Sequence, residues 1–331
     1  MKVIIDQAIP YIKHTLEQYA EVEYLAATMI TPAAISDADA LIIRTRTKCN
    51  KELLEGSKVS FIATATIGLD HIDLDYCQQR GIKVCSAPGC NARGVLQWIT
   101  AALHHITRIN NRSPRDYTLG IVGVGNVGSL VSNYSRHWGF RVLECDPPRQ
   151  MREGGEFYDI DEIIRECDII TLHTPLDNTT RHLINQTRIK DMRPEAIVIN
   201  ASRGGVVDNM AMAQSSHRYI FDVWENEPHI ETEVLNKALL ATPHIAGYSI
   251  QGKANATAMS IRALAAHFDL PLKTWYPNEV TPTTPRLISW KEVSTSIDSY
   301  FDIITESDTL RSAPDSFELL RNNYTFREEY F

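Results

Sequence analysis

Three short segments carry the side chains needed to move a proton and to hold a carboxylate. Arg203 stands in Asn-Ala-Ser-Arg-Gly-Gly-Val-Val-Asp (200–208), Glu227 in Phe-Asp-Val-Trp-Glu-Asn-Glu-Pro (221–228), and His244 in Ala-Thr-Pro-His-Ile-Ala-Gly-Tyr (241–248). An imidazole titrates near neutral pH, so His244 suits removal of a hydroxyl proton. A carboxylate bonded to the ring fixes its tautomer, the role expected of Glu227. A guanidinium can grip a carboxylate through two parallel bonds, the role expected of Arg203. Together they fit oxidation of a 2-hydroxy acid, in which the hydroxyl proton leaves as hydride departs from the same carbon. Each alone is also what a capped turn or a surface ion pair looks like; the weight lies in their coincidence. His104, His105, His137, His173 and His217 lack comparable settings.

A hydride needs an acceptor, and the chain contains a turn suited to one. Gly123, Gly125 and Gly128 form GxGxxG after the apolar run 118–122 and before a helical run ending at Trp138. The first glycine permits a tight turn, the second lets backbone approach a pyrophosphate, and the third lets helix and strand pack closely. The amides of Asn126, Val127 and Gly128 open the helix toward the phosphates. Asp146 ends the next apolar run, eighteen residues after Gly128. It is placed to accept from the adenosine ribose hydroxyls and to repel a 2′-phosphate, so the expected cofactor is NAD. Arg149 is the counter-indication, since an arginine there can accommodate that phosphate. Thr174 and Pro175, after a further strand, are expected to line the cofactor.

These residues must be positioned by a parallel sheet. Apolar runs at 3–6, 40–44, 61–65 and 83–86, then 118–122, 141–145, 168–172, 196–200, 219–223 and 239–242, alternate with amphipathic stretches, the pattern of an α/β doubly wound fold. Helices are expected at 11–19, 73–80, 93–109, 130–138 and 249–268. The segments bearing Arg203, Glu227 and His244 all fall just beyond a strand's carboxyl end, where open parallel sheets bind ligands. Asp208 and Asp222 lie only fourteen positions apart, leaving a short crossover helix at 209–214. After Pro271 the chain turns proline- and threonine-rich, and the last fifty or so residues read as short, mixed and aromatic.

The chain has 331 residues, 44% of them hydrophobic, enough for two cores. A net charge of −8 argues against nucleic acid as a partner, which would need a basic face. No apolar run reaches the roughly 18 residues of a membrane span, and the N-terminal apolar run reads as a strand rather than a signal peptide. Six cysteines are scattered without a CxxC pair or a shared spacing with histidines. No metal site is expected from them, and the expected compartment is the cytoplasm.

In these motifs the chain resembles the D-2-hydroxyacid dehydrogenases. The resemblance rests on Gly68-Leu-Asp-His-Ile-Asp73, the glycine turn, Leu172-His-Thr-Pro175, residues 200–208 and 222–228, and Pro243-His244. It implies two Rossmann-like lobes with the active site in a cleft between them. The substrate-binding lobe would comprise 1–92 and 249–275, the NAD-binding lobe 93–248, and 276–331 would form a C-terminal dimerisation segment of a homodimer. Thr64-Ala-Thr-Ile-Gly68, Ala87-Pro-Gly-Cys-Asn91, Cys145-Asp-Pro-Pro-Arg149, Asp222-Val-Trp-Glu225, His244-Ile-Ala-Gly-Tyr-Ser249 and the tail 317–324 are most similar to members acting on a small phosphorylated 2-hydroxy acid. The resemblance implies that Thr45, Thr66 and Tyr248 contact substrate. It likewise implies that Asp146, Thr174, Ala201, Ser202, Arg203, Asp222 and Gly247 contact NAD. Arg44 and Arg46, beside Lys48, offer cations for the phosphate, although an exposed charged loop has the same appearance. Members acting on 3-phosphoglycerate, glyoxylate or hydroxypyruvate, and a non-catalytic NAD-sensing scaffold, stay open as alternatives.

Overall fold

A computed structural model describes residues 1–331. Apolar runs too short to bury themselves as helices pair instead into two parallel sheets. The first sheet holds β1 (Lys2–Asp6), β2 (Glu21–Leu25), β3 (Ala40–Ile43), β4 (Phe61–Thr64) and β5 (Lys83–Cys85), ordered β2-β1-β3-β4-β5. The second holds β6 (Thr118–Val122), β7 (Arg141–Cys145), β8 (Ile169–Leu172), β9 (Ile197–Asn200), β10 (Arg218–Phe221) and β11 (Leu240–Ala241), ordered β11-β10-β9-β8-β6-β7. All pairings are parallel. The expected α/β class with doubly wound sheets is therefore what the chain forms.

The chain divides into two compact bodies, one of residues 1–91 and 250–282, the other of 92–249 and 283–331. In the first, Val3, Ile5, Ile42 and Phe61 on one sheet face meet Ile261 and Leu264 of the helix Ile250–His267. Ile4, Leu41, Ile43 and Ile62 cover the opposite face. In the second, the helix Ala92–Ile109 buries Leu96, Ile99, Leu103 and Ile106 at helical spacing against Leu119, Ile121 and Ile199. Each fully buried isoleucine or leucine contributes about 2 kcal/mol, so strands buried on both faces are firmly held.

Two stretches depart from the sequence expectation. Residues 11–19 form turns instead of a helix, although Ile12 and Leu16 are buried as an amphipathic pattern requires. Tyr11 and His14 take positive φ, and the Glu17 carboxylate accepts from the amides of His14 and Leu16. That local bonding replaces the helical ladder, and the chain then adds an edge strand, β2, that was not expected. The second departure is the tail. It contains the helices Trp290–Tyr300, Ile303–Ser312 and Phe317–Asn322. Val293 and Ile297 sit one turn apart and wholly buried, while the side chains of Ser289 and Asp302 cap the first two helices.

The tail is fastened to the second body by Arg327. Its buried guanidinium donates to Gly94 O at 2.8 Å, to Ile245 O at 3.1 Å and to Ala246 O. Ser249 Oγ donates to Glu329 at 2.8 Å beside it. Replacing Arg327 with alanine leaves buried carbonyls unpaired and is expected to cost about 3 kcal/mol. Chemical denaturation should show that loss, and limited proteolysis should release the tail faster than in the wild type.

Candidate active site

Register decides where the sequence motifs meet. Val122 pairs with Cys145 and Leu172, Leu172 with Asn200, Asn200 with Phe221, and Phe221 with Ala241. The six strands of the second sheet thus end on one line. The segments that follow them, beginning at Gly123, Asp146, His173, Ala201, Asp222 and Thr242, emerge side by side.

At the switch point around β6 the glycines do different work. Gly123 has φ +85, and a Cβ there would meet the His173 backbone at 2.8 Å. A Cβ on Gly128 would lie 1.9 Å from Gly123 O, so helix and turn could not close with any other residue. Around Gly125 there is open space, and the helix Asn126–Trp138 that it begins has no side-chain cap. Its first-turn amides at Asn126, Val127 and Gly128 are available to an anionic ligand. Thr174 adds a buried hydroxyl without a partner. These features fit a dinucleotide.

Asp146 has a second task that the sequence did not reveal. Oδ2 accepts from Val124 N at 2.8 Å and Oδ1 from Arg149 N at 2.9 Å, so the carboxylate ties the glycine turn to the next helix. Each oxygen keeps a lone pair for a ribose hydroxyl. The Arg149 guanidinium donates to Val124 O at 2.9 Å, Ser129 Oγ at 3.2 Å and Glu153 at 2.8 Å. Its charge is paired with Glu153, which answers the counter-indication.

The residues expected to transfer the proton, Glu227 and His244, lie beyond β10 and β11. His244 Nδ1 and Glu227 Oε2 are 2.7 Å apart, and Trp224 N donates to Glu227 Oε1 at 2.9 Å. Burial opposes ionisation of Glu227, but the imidazole, the Trp224 amide and Arg321 outweigh it and hold the carboxyl below its ordinary value. His244 Nε2 has no protein partner, and 27% of the side chain is exposed. His173, by contrast, is pushed down to about 3 by burial, so its ring stays neutral and is unsuited to exchanging protons. Its Nε2 pairs with Thr171 Oγ1 at 3.1 Å.

Asp222 supports the histidine from below. It is buried, and its carboxylate accepts from Thr242 Oγ1 at 2.6 Å, Ile245 N at 2.7 Å and Ala246 N at 2.9 Å. Trp98 Nε1 donates in turn to Thr242 Oγ1 at 3.0 Å. Burial raises the Asp222 carboxyl above its usual range despite these donors. His244 itself has φ +58, and its amide donates to Asp222 O at 2.8 Å. Gly247 follows, close to the helix start: a Cβ on Gly94 would lie 3.4 Å from its carbonyl carbon.

The turn holding Arg203 is shaped by Asn200. Its Oδ1 accepts from Ser202 N at 3.0 Å and Ser202 Oγ at 2.8 Å, while its Nδ2 donates to Arg203 O at 2.9 Å. Ala201 lies between them. A Cβ on Gly204 would sit 2.0 Å from the Trp224 carbonyl carbon, so the loops bearing Arg203 and Glu227 touch through their backbones. Arg203 NH1 donates to Ser202 O at 2.8 Å. The short crossover helix forms at Asn209–Gln214, and β9 and β10 pair without interruption.

In the other body, the turn after β3 exposes Thr45 and Arg46 and buries Thr47. Arg44 is already engaged: its Nε and NH2 donate to the buried Asp6 carboxylate at 3.0 and 3.2 Å. The expectation that it serves a phosphate is weakened accordingly. Thr66 Oγ1 lies 2.7 Å from Thr64 Oγ1, which lies 3.2 Å from His71 Nε2.

One further candidate lies within the tail segment 317–324, with no role of its own expected from the sequence. Arg321, from the helix Phe317–Asn322, donates through Nε to Tyr248 Oη at 3.1 Å and places NH1 3.9 Å from Glu227 Oε2. The resemblance covers its segment without giving it a role, because its position depends on how the tail packs.

A parallel sheet with a dinucleotide turn at its switch point and a paired histidine and glutamate beyond its last strands defines a nicotinamide-dependent oxidoreductase. Residues 95–246 match the family described as D-isomer specific 2-hydroxyacid dehydrogenase, NAD binding domain. The erythronate-4-phosphate dehydrogenase of Bacteroides thetaiotaomicron is 45% identical over 342 residues, covering 99% of this chain and 97% of that protein. That of Pseudomonas syringae pv. syringae is 42% identical over 280 residues, covering 82% and 74%. Among solved structures, the NAD⁺-bound 3-phosphoglycerate dehydrogenase of Entamoeba histolytica superposes with a TM-score of 0.69 at 26% identity, covering 81% of this chain and 96% of that one. The chain belongs to the D-isomer specific 2-hydroxyacid dehydrogenases, and its cofactor is NAD.

Because Asp146 braces the turn in addition to its expected ribose contact, Asp146→Ala should act twice. The expected outcome is about tenfold weaker NAD binding together with a raised ratio of NADP to NAD activity. Coenzyme titrations with both dinucleotides check this; an unchanged ratio would assign the preference to another residue.

Proposed function

We propose that the protein oxidises 4-phospho-D-erythronate to 3-hydroxy-2-oxo-4-phosphooxybutanoate, a step of pyridoxal 5′-phosphate biosynthesis. The similarity to the erythronate-4-phosphate dehydrogenases of Bacteroides thetaiotaomicron and Pseudomonas syringae pv. syringae supports the substrate. The observation that carries the chemistry is the 2.7 Å contact of His244 Nδ1 with Glu227, with Nε2 unpartnered. Glu227 fixes the tautomer in which Nδ1 bears a proton, so Nε2 presents its lone pair to the C2 hydroxyl. His244 takes that proton as hydride leaves C2. Bound NAD supplies the hydride acceptor. Arg203 holds the substrate carboxylate and polarises the carbonyl in the reverse direction. Asp222 keeps the histidine loop in place without touching the reacting atoms.

Thr45, Thr66 and Tyr248 are the proposed uncharged substrate contacts. Arg46, and Arg44 with two donors on Asp6, are the first-body candidates for the phosphate. Gly123, Gly125, Asn126, Val127, Gly128, Asp146, Thr174, Ala201, Ser202, Arg203, Asp222 and Gly247 are the proposed dinucleotide contacts.

We also infer a cytoplasmic homodimer. Support comes from six free cysteines, five of them buried, and from exposed Leu287, Tyr300 and Leu319 on the tail. No helix is long and apolar enough to cross a membrane. Light scattering should return the mass of two chains; the mass of one would remove the dimer.

The deciding assay follows NADH formation across 2-hydroxy acids with and without a phosphate. 4-Phosphoerythronate should give the highest kcat/KM. A preference for 3-phosphoglycerate, or for reduction of glyoxylate or hydroxypyruvate, would replace the substrate while leaving the chemistry. His244→Ala should lower turnover by about a thousandfold or more with NAD affinity nearly unchanged; a modest loss would refute its role as the base.

A further inference from the structure

The substrate proposed above carries two anionic groups; Arg44 and Arg46 of the first body are the cations expected for its phosphate, and within the second body only the carboxylate has so far been given a cation. Arg203 takes the carboxylate. Of the cations expected for the phosphate, Arg44 has two donors committed to Asp6. Within the second body, one further guanidinium lies beside the catalytic pair. Arg321 is three-quarters shielded from water, with its side chain 23% exposed.

Its seat is only partly satisfied. A guanidinium carries five N–H donors, and of these one reaches an acceptor, Tyr248 Oη at 3.1 Å. Glu227 is 3.9 Å from NH1, close enough to balance charge but beyond hydrogen-bond length. Glu227 already spends one oxygen on Trp224 N and the other on His244. The terminal nitrogens of Arg321 are not among the buried atoms that lack partners, so they face solvent instead of being sealed in protein. Their neighbours in this body are Tyr248, a proposed substrate contact, and Glu227, the partner of the proposed base. An arginine with an open fork beside a reacting centre is the usual means of holding an oxyanion.

We propose that Arg321 is a substrate-binding residue that takes the phosphate of the hydroxy acid, with Tyr248 orienting its guanidinium. The proposal rests on the phosphorylated-substrate reading above. It makes the C-terminal tail part of the substrate site: Phe317, buried in the same cluster as Trp224, anchors the short helix that presents Arg321.

The test is initial-rate kinetics of the full-length holoenzyme on 4-phosphoerythronate and on unphosphorylated erythronate, for wild type, Arg321→Met and Arg321→Lys. Loss of a charge-assisted contact to a dianion should lower kcat/KM on the phosphorylated acid roughly 10- to 100-fold in Arg321→Met, chiefly through KM. Erythronate should lose far less, so the ratio between the two acids collapses, and Arg321→Lys should recover part of it. Inorganic phosphate, expected to compete with substrate in the wild type, should need a correspondingly higher concentration in Arg321→Met. NADH affinity and melting temperature report on folding; if Arg321→Met melts early, Arg321→Gln is compared by the same ratio. Equal losses on both acids, or a fall in kcat with KM unchanged, would overturn the phosphate role. The two readings fail differently. A wild type active on 4-phosphoerythronate with an unaltered ratio in the variants sinks Arg321 alone, whereas a wild type inactive on that acid sinks both.

Discussion

The parallel pairing of the second sheet admits no slip, and the site depends on that. Cys145, Val122, Leu172, Asn200, Phe221 and Ala241 stand in one row. A shift of one residue would turn a strand's side chains to the opposite face, which buried faces on both sides forbid. Strand ends aligned in this way deliver an acid, a base and two glycine turns to one edge without long loops. What remains is to hold the last of those loops. Asp222 does so by accepting from Thr242, Ile245 and Ala246, and a buried carboxylate with three donors leaves His244 little freedom.

Much of this was legible because it is written in period and punctuation. The parallel strands other than β2 were visible as short apolar runs, and the glycine turn as a motif between a strand and a helix. The pairing of Glu227 with His244 could be expected from residue type and from their common place after strands. What the sequence withheld was tertiary. Tyr11 and His14 break an amphipathic stretch through backbone angles that composition does not announce. The tail helices are short and depend on Val293 and Ile297 finding a surface to bury against. Arg44 looked like a free cation because Asp6 is distant in sequence though adjacent in the sheet.

Several residues carry two duties, and these explain why single motifs understate the site. Asp146, proposed for the ribose, also braces Val124 and Arg149. Gly204 ends one loop and, lacking a side chain, admits the backbone of another. Asn200 ends β9 and then shapes the turn that presents Arg203. Substitutions at such positions disturb ligand contact and architecture together, so a lost activity there does not by itself identify a contact.

The Arg327 staple also has a bearing on how the protein matures. It joins Gly94 and the carbonyls of Ile245 and Ala246 to a residue far along the chain. During synthesis the sheets and the glycine turn emerge well before that residue does. The loop bearing His244 therefore acquires its final clamp only after residue 327 has left the ribosome, later than the strands of both sheets. Assembly of the reactive centre in this way waits on a residue far downstream of the strands that carry it, and a chain cut short before the staple lacks the clamp even where both sheets have formed.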